Sequence, residues 1–327
     1  MYLVTGGAGF IGSHIVAALA ERGAEVIVCD WLGRDERWQN LVKHEIAAIV
    51  APEELPHWLV ANGSRLRGVI HMGAISATTE TDVDRLVAHN VRASLDLLDW
   101  CTQARVPLIY ASSAATYGDG SAGFDDLCTP EALAALRPLN AYGWSKHLVD
   151  RRIVRLAQEQ KLLPPQWVGL KFFNVYGPNE YHKGTMQSVV AKSHAVIRAS
   201  RPIQLFRSQR PEFADGEQLR DFIYVRDCVD VVLWLLEHSA VSGIFNVGTG
   251  RARSWLDLAT ALFRAADLPI AIEFVDMPPE LAAKYQYFTQ ARMDRLRAVG
   301  YLQPFTPLEQ GVADYVRHYL DMVDRYR

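Results

Sequence analysis

Closely spaced cysteines are missing from this 327-residue chain: Cys29, Cys101, Cys128 and Cys228 lie far apart with no Cys-x-x-Cys pair. That excludes a zinc knuckle and a disulfide framework, and thiols kept reduced in a cytosol are the expectation. A surplus of charge of one sign is missing too. With 34 basic and 37 acidic side chains the net charge is -3, so no global field favours nucleic acid or an anionic membrane as partner. Long apolar runs are absent. The longest aliphatic stretch, Val229 to Leu236, is interrupted by Asp230 and falls short of the roughly 20 residues a spanning helix needs. The start, Met1 followed by Tyr2-Leu3-Val4-Thr5, lacks the basic region, apolar stretch and cleavage site of a secretory signal. There is no internal repeat and no low-complexity tail. What is present is 50% hydrophobic and 22% charged, enough for one large or two modest domains with a buried core and, by default, small-molecule partners.

The first half alternates two periodicities. Short apolar runs at 2–5, 25–30, 68–72, 107–111 and 167–171 read as strands. Between them, Ile11–Arg22, Asp82–Gln103 and Tyr142–Gln158 repeat apolar residues at three and four positions, as helices with one buried face require. Such a βαβ series predicts an α/β fold, a Rossmann-like doubly wound parallel sheet that binds ligands at the carboxyl ends of its strands. After Lys171 the regularity weakens. A Gly/Pro/Asn loop spans 174–184, a helix follows from Met186 to about Ala199, and the polar stretch 207–220 reads as a mobile surface loop. Further strands are expected at 221–225 and 243–246, with a helix at 226–238 and an amphipathic helix after Thr306. The expected division is a dinucleotide-binding domain at 1–173 with returning segments at about 219–246. A smaller α/β substrate-binding domain would take 174–218 and 247–327.

Thr5-Gly6-Gly7-Ala8-Gly9-Phe10-Ile11-Gly12 joins the first strand to the first helix. Gly6, Gly9 and Gly12 permit a tight turn and let backbone N–H groups and the helix N-terminus meet a pyrophosphate. Asp30 ends the second strand about 20 residues on, where a carboxylate bonds the adenosine ribose of NAD. Arg34 and Arg37 follow in the same loop, and a guanidinium there could hold the extra phosphate of NADP. With Asp35 and Glu36 between them, ordinary solvated charge explains the two arginines equally well.

Tyr142 and Lys146 stand four residues apart, on one face of a helix. A cation beside a phenol stabilises phenolate, so a group with an ordinary pKa of about 10 can act as a base near neutrality. The spacing alone is commonplace on surface helices. Ser113, in Ala111-Ser112-Ser113-Ala114-Ala115-Thr116-Tyr117-Gly118 just past a strand, supplies a hydroxyl for the substrate oxygen and completes a Ser/Tyr/Lys set.

The glycine turn, Asp30, Asn90, the Ser113 segment and the Tyr142/Lys146 pair resemble the extended short-chain dehydrogenase/reductase superfamily. The likeness continues through Asp221-Phe222-Ile223-Tyr224-Val225-Arg226-Asp227 and Phe245-Asn246-Val247-Gly248-Thr249-Gly250. Rarer segments narrow it. Lys171-Phe172-Phe173-Asn174-Val175-Tyr176-Gly177-Pro178, Glu180-Tyr181-His182-Lys183-Gly184-Thr185-Met186-Gln187-Ser188-Val189, Ala74-Ile75-Ser76-Ala77-Thr78-Thr79-Glu80 and Tyr285-Gln286-Tyr287-Phe288-Thr289-Gln290-Ala291 resemble the ADP-L-glycero-D-manno-heptose 6-epimerases.

That resemblance implies an isomerase that oxidises C6 of the heptose to a ketone and returns the hydride to the other face. Tyr142 and Lys183 would act as opposed acid and base; the other reading of Lys183 is a phosphate or carboxylate contact. The resemblance further implies one tightly bound NADP or NAD per subunit, lined by Phe10, Ile11, Asp30, Gly73, Ala74, Asn90, Lys146 and Val175. Asn174, Thr185, Arg220 and Tyr285 would contact ADP-heptose. Lys192 stands where a substrate-site histidine is expected, the 118–138 loop looks longer, and the 207–219 segment looks expanded. A product feeding lipopolysaccharide inner-core assembly and a homo-oligomer pairing the helices at 82–103 and 142–158 are also implied, although core packing explains the same apolar stripes. The competing readings are a UDP-hexose 4-epimerase, which would not need Lys183 as a base, and a non-catalytic NADP-binding sensor, which has no use for the Ser/Tyr/Lys set. A 4,6-dehydratase would need an Asp-Glu pair where the chain has Ala114-Ala115-Thr116-Tyr117.

Overall fold

Alternate side chains along each central strand enter different cores, and this divides the molecule into layers. In the computed structural model, which describes residues 1–279 and 285–327, seven parallel strands form the main sheet. They are β1 (Tyr2–Thr5), β2 (Val26–Cys29), β3 (Ala48–Val50), β4 (Gly68–His71), β5 (Leu108–Ser113), β6 (Trp167–Phe172) and β10 (Gly243–Val247), in the order β10-β6-β5-β4-β1-β2-β3. Val4, Val28, Ile70 and Ile109 enter the core shared with Ile15, Val16, Val229 and Val232, from helices α1 (Phe10–Glu21) and α5 (Val225–Glu237). Their neighbours Leu3, Ile27, Val69 and Leu108 enter the opposite core with Leu97, Leu98, Val149 and Ile153, from α2 (Ala93–Ala104) and α3 (Ala141–Gln158). A strand period of two, with both faces covered, is what their near-continuous apolar sequence encodes.

The chain runs outward on one side through β2 and β3, then crosses back to β4 beside β1. This reversal opens a crevice at the carboxyl ends of β1 and β4, the place where doubly wound sheets bind ligands. Beyond β6 lie two small sheets. One has the order β11-β9-β7, from β7 (Asn174–Tyr176), β9 (Leu219–Tyr224) and β11 (Ala252–Ser254); the other pairs β8 (Ile203–Phe206) with β12 (Ile272–Val275). A third core joins them: Val190, Ile203, Leu205, Phe222, Leu258, Leu262 and Val312.

Several boundaries differ from the sequence reading for identifiable reasons. The strand expected to end at Ala111 continues to Ser113, because Ser112 and Ser113 pair with Lys171 and Phe172 of β6. The segment returning to the main sheet brings α5 and β10, while β9 pairs with β7 and β11 in the small sheet. The helix expected from Met186, α4, runs Val189–Arg198, because the Ser188 hydroxyl accepts from the Ala191 N–H and caps it. The long helix expected at 82–103 is Val83–Leu86 and Ala93–Ala104, joined by a π-helical turn, Val87–Arg92.

Candidate active site

The cofactor end begins at the turn after β1. Gly6 has a φ of 64°, and a Cβ on Gly12 would stand 2.0 Å from the Gly6 carbonyl oxygen, so α1 can begin this close to β1 only with glycine there. Gly9 precedes α1, and no side chain caps the helix N-terminus, leaving its first N–H groups to an anion. Asp30 stands beside the turn, accepting from the Ala8 N–H at 3.0 Å. Burial pushes its carboxyl above the usual range, while the Ala8 N–H and the Arg37 guanidinium pull the other way. Arg37 lies 3.7 Å from Asp30 and 3.3 Å from Asp35, and its buried Nε has no partner. Arg34 is exposed. The glycine cradle and this carboxylate fit a dinucleotide.

Across the crevice, Gly73 donates to Thr5 Oγ1 at 3.1 Å; Phe10 is buried, and Ile11, Ala74 and Val175 are half-buried. Asn90, fully buried, is turned inward. Its Oδ1 accepts from the Ile75 N–H at 2.8 Å, and its Nδ2 donates to the Ile75 carbonyl and to Ser145 Oγ, both at 3.0 Å. It therefore fixes the segment after β4 to α3.

The catalytic end is built by β5 and α3. Asn140 caps α3, accepting from the Gly143 N–H at 2.8 Å. A Cβ on Gly143 would stand 2.6 Å from the Ala115 carbonyl oxygen, so the helix starts hard against the turn after Ser113. Tyr142 and Ser113 are thereby brought together. The Ser113 hydroxyl favours ionisation of the phenol, but burial dominates and raises Tyr142 above its ordinary value. Burial pushes Lys146 down to about 8, with Asp150 holding it up. Lys146 is 3% exposed, and an ammonium at this place in the crevice fits a ribose hydroxyl of the dinucleotide.

Beneath this pair lies a network the sequence did not reveal. Lys171 and Asp150, both fully buried, are 2.9 Å apart. Asp150 also accepts from Ser112 Oγ at 2.7 Å and from the Tyr110 hydroxyl at 3.1 Å, and Lys171 donates to Thr116 Oγ1 at 2.6 Å. A second chain of buried groups runs from Thr5 Oγ1 to His71 Nδ1 at 2.6 Å, from His71 Nε2 to Ser94 Oγ at 2.9 Å, and from Ser94 to the Asn90 carbonyl at 2.6 Å. Because Ser94 spends its proton on Asn90, His71 donates from Nε2 and accepts at Nδ1. Burial drives His71 down to about 3, so it stays neutral.

The third group comes from the turn Tyr181–Met186. Lys183 Nζ sits over the Phe10 ring, 4.9 Å from its centroid, so this turn approaches the start of α1. Burial lowers Lys183, and Glu180 opposes the shift. Asn40 helps to hold the approach, donating to the Ala8 carbonyl at 2.8 Å and to the Asn179 carbonyl at 3.2 Å. Lys192 donates to the Thr185 carbonyl at 3.3 Å, and Asn174 is half-buried in β7.

Arg220 is held between aromatic faces, 5.0 Å from the Tyr285 centroid and 5.6 Å from that of Trp255. It is 6% exposed and forms no ion pair with a described carboxylate. A desolvated guanidinium fork of this kind suits a diphosphate. The polar stretch 207–218 is a loop folded over this region: Gln209 donates to the Tyr287 hydroxyl at 3.0 Å, and Arg210 stacks on the same ring at 4.5 Å. Trp255 gave no signal in the sequence beyond its type, because only the tertiary fold brings it to Arg220; Tyr287 lies in a segment singled out for its resemblance, though without a role assigned.

Residues 2–248 match the family described as NAD dependent epimerase/dehydratase. An ADP-L-glycero-D-manno-heptose-6-epimerase of Nitratidesulfovibrio vulgaris (strain DP4) is 49% identical over 100% of both chains. Another, of Fusobacterium nucleatum subsp. nucleatum, is 45% identical over 100% of each. Among solved structures, Helicobacter pylori ADP-L-glycero-D-manno-heptose-6-epimerase has a TM-score of 0.78 at 28% identity, covering 97% of this chain and 95% of that one. Thermus thermophilus UDP-glucose 4-epimerase in complex with NAD reaches 0.73 at 27%, covering 95% and 96%. With a glycine cradle, a Ser/Tyr/Lys set and this extent of similarity, the chain belongs to the NAD-dependent epimerase/dehydratase family, in its ADP-L-glycero-D-manno-heptose-6-epimerase branch.

Proposed function

We propose that this protein epimerises ADP-D-glycero-D-manno-heptose at C6, with Tyr142 and Lys183 as its two proton-transfer groups. The observation that carries the reading is Lys183 seated on Phe10, a second amine at the glycine turn, on a different element from the Tyr142/Lys146 helix. Inverting a carbinol carbon whose C–H is not acidic requires a transient ketone, and a nicotinamide dinucleotide whose pyrophosphate would be held at the glycine turn would supply reversible hydride acceptance. Lys146, buried and cationic, lowers the cost of the Tyr142 phenolate. Ser113 holds the reacting oxygen. One of Tyr142 and Lys183 takes the hydroxyl proton and the other delivers a proton when the opposite configuration forms. Arg220, Tyr285, Asn174, Thr185 and Lys192 hold the ADP-sugar, the guanidinium on the diphosphate.

Asp30 supports NAD, while the partnerless Nε of Arg37 and exposed Arg34 support NADP; nucleotide released from the purified protein identifies which is carried. Four unpaired thiols, three of them buried, support a reducing cytosol. No helix of the described residues is long and apolar enough to cross a membrane.

Incubation with ADP-D-glycero-D-manno-heptose, followed by NMR at C6 with UDP-glucose in parallel, tests the reading. Conversion to the L-glycero epimer without added cofactor is expected. Turnover of UDP-glucose instead would make the protein a hexose 4-epimerase and return Lys183 to a binding role.

A further inference from the structure

The turn that carries Lys183 is short; at its outer side the Tyr181 hydroxyl donates to the Arg325 carbonyl at 2.8 Å, and Gln187 Nε2 donates to the Tyr181 carbonyl at 2.6 Å. The turn is a 3₁₀ segment interrupted at Gly184, whose φ of 52° breaks the helical path, and none of its residues is fully buried. Glu180, immediately before it, is 0% exposed. Its carboxylate accepts from the Ser188 N–H at 2.5 Å and the Ser188 hydroxyl at 2.6 Å, just beyond the far end of the turn. It also accepts from the Gly177 N–H at 3.4 Å, on the near side, and from the Tyr315 hydroxyl at 3.3 Å. The Glu180 backbone carbonyl takes the Lys183 N–H at 3.0 Å. A buried carboxylate is retained at this cost only where its lone pairs are met, and here, besides Tyr315, the donors flank one turn on both sides.

We propose that Glu180 is the positioning residue for Lys183, a single buried carboxylate that clips both ends of the 181–186 turn and so holds the ammonium at the Phe10 ring. The inference rests on the two-base reading for its consequence in catalysis, though the clip itself does not. Glu180 also acts through charge. The groups acting on Lys183 are Glu180, which favours its protonated form, and Lys192, which opposes it; His182, next to it, is driven down to about 4 and is neutral near pH 7. Removing the carboxylate therefore loosens the turn and leaves burial and Lys192 unopposed.

The test uses the purified holoenzyme and its Glu180→Gln, Glu180→Asp, Ser188→Ala and Lys183→Met variants. Glu180→Gln is expected to lower kcat about 10- to 100-fold, the scale of a sub-ångström misplacement, with KM and retained nicotinamide unchanged. Glu180→Asp should recover part of the loss, and Ser188→Ala, which removes one donor, should show a smaller loss. Acylation of Lys183 against pH, read by peptide mass spectrometry, supplies a readout independent of turnover. Its midpoint should fall in Glu180→Gln. Wild-type kcat together with an unmoved midpoint overturns the clip, as does a loss of kcat that tracks loss of nicotinamide or of thermal stability. Full turnover in Lys183→Met overturns the two-base reading instead, and the labelling midpoint then decides the clip alone.

Discussion

Burial works against the charged form of both Lys146 and Tyr142, opposed by Asp150 at the ammonium and by the Ser113 hydroxyl at the phenol. The ammonium is pushed down to about 8 and the phenol upward, so the pair works only while Lys146 keeps its proton. Below about pH 8 Lys146 is charged and supports phenolate, and above it the support is lost. kcat/KM should therefore carry an alkaline limb near that value, and Lys146→Arg, whose cation does not titrate in this range, should displace the limb upward. Tyr142→Phe and Lys183→Met should each lose about 10²- to 10⁴-fold in kcat, the range of general acid–base groups, read by NMR at C6. Tyr142, Lys146 and Ser113 were legible because a four-residue spacing and a strand end are local patterns. His71, Asp150 and Glu180 were not. Nothing near them in the chain announces that Ser94, Lys171 or Ser188 will be their partners, since those contacts exist only after the sheet and the small domain have formed.

Elements were legible where one amphipathic period ran long enough, as in α1, α3 and α5. They were not where a strand lies outside the doubly buried centre of the main sheet. β8 and β12, paired across residues 203 and 272, carry exposed Gln204 and Glu273, so no continuous apolar run marks them, and edge strand β3 has only three residues and exposes Ile49. The start of α4 was misplaced because apolar Met186 resembles a helix residue, whereas the cap is Ser188. Gly12→Ala should abolish nicotinamide retention, since its methyl meets the Gly6 carbonyl; absorbance of the purified protein checks this. Asp150→Ala leaves Lys171 charged and unpaired in a dry site, and should cost about 3–5 kcal/mol in denaturant unfolding. Replacing both residues, as Asp150→Leu with Lys171→Met, should cost less than the single change, because no buried charge is then left behind.

At the scale of the whole molecule, helix α1 at the glycine turn is tied to the segment after β7. His14, in α1, contacts the Pro178 carbonyl at 3.0 Å, and Asn179 donates to Ser13 Oγ at 3.1 Å, so the turn of Lys183 is moored to the helix that begins at the cofactor. The outer face of α3 is left with Trp144 at 39% and Leu148 at 36% exposure, four residues apart and hence side by side. We propose this face as the place where a second copy of the chain would pack across a two-fold axis. Light scattering should give a multiple of the protomer mass, and Leu148→Asp should reduce it.

Trp255 has a use that does not depend on catalysis. Its ring lies against the Arg220 guanidinium, so a diphosphate docked there as proposed would change the charge above the indole and make Trp255 an optical gauge of occupancy. Tryptophan emission should shift on addition of ADP-sugar to a turnover-dead Tyr142→Phe variant, and most of that shift should vanish when Trp255 is also replaced by Phe.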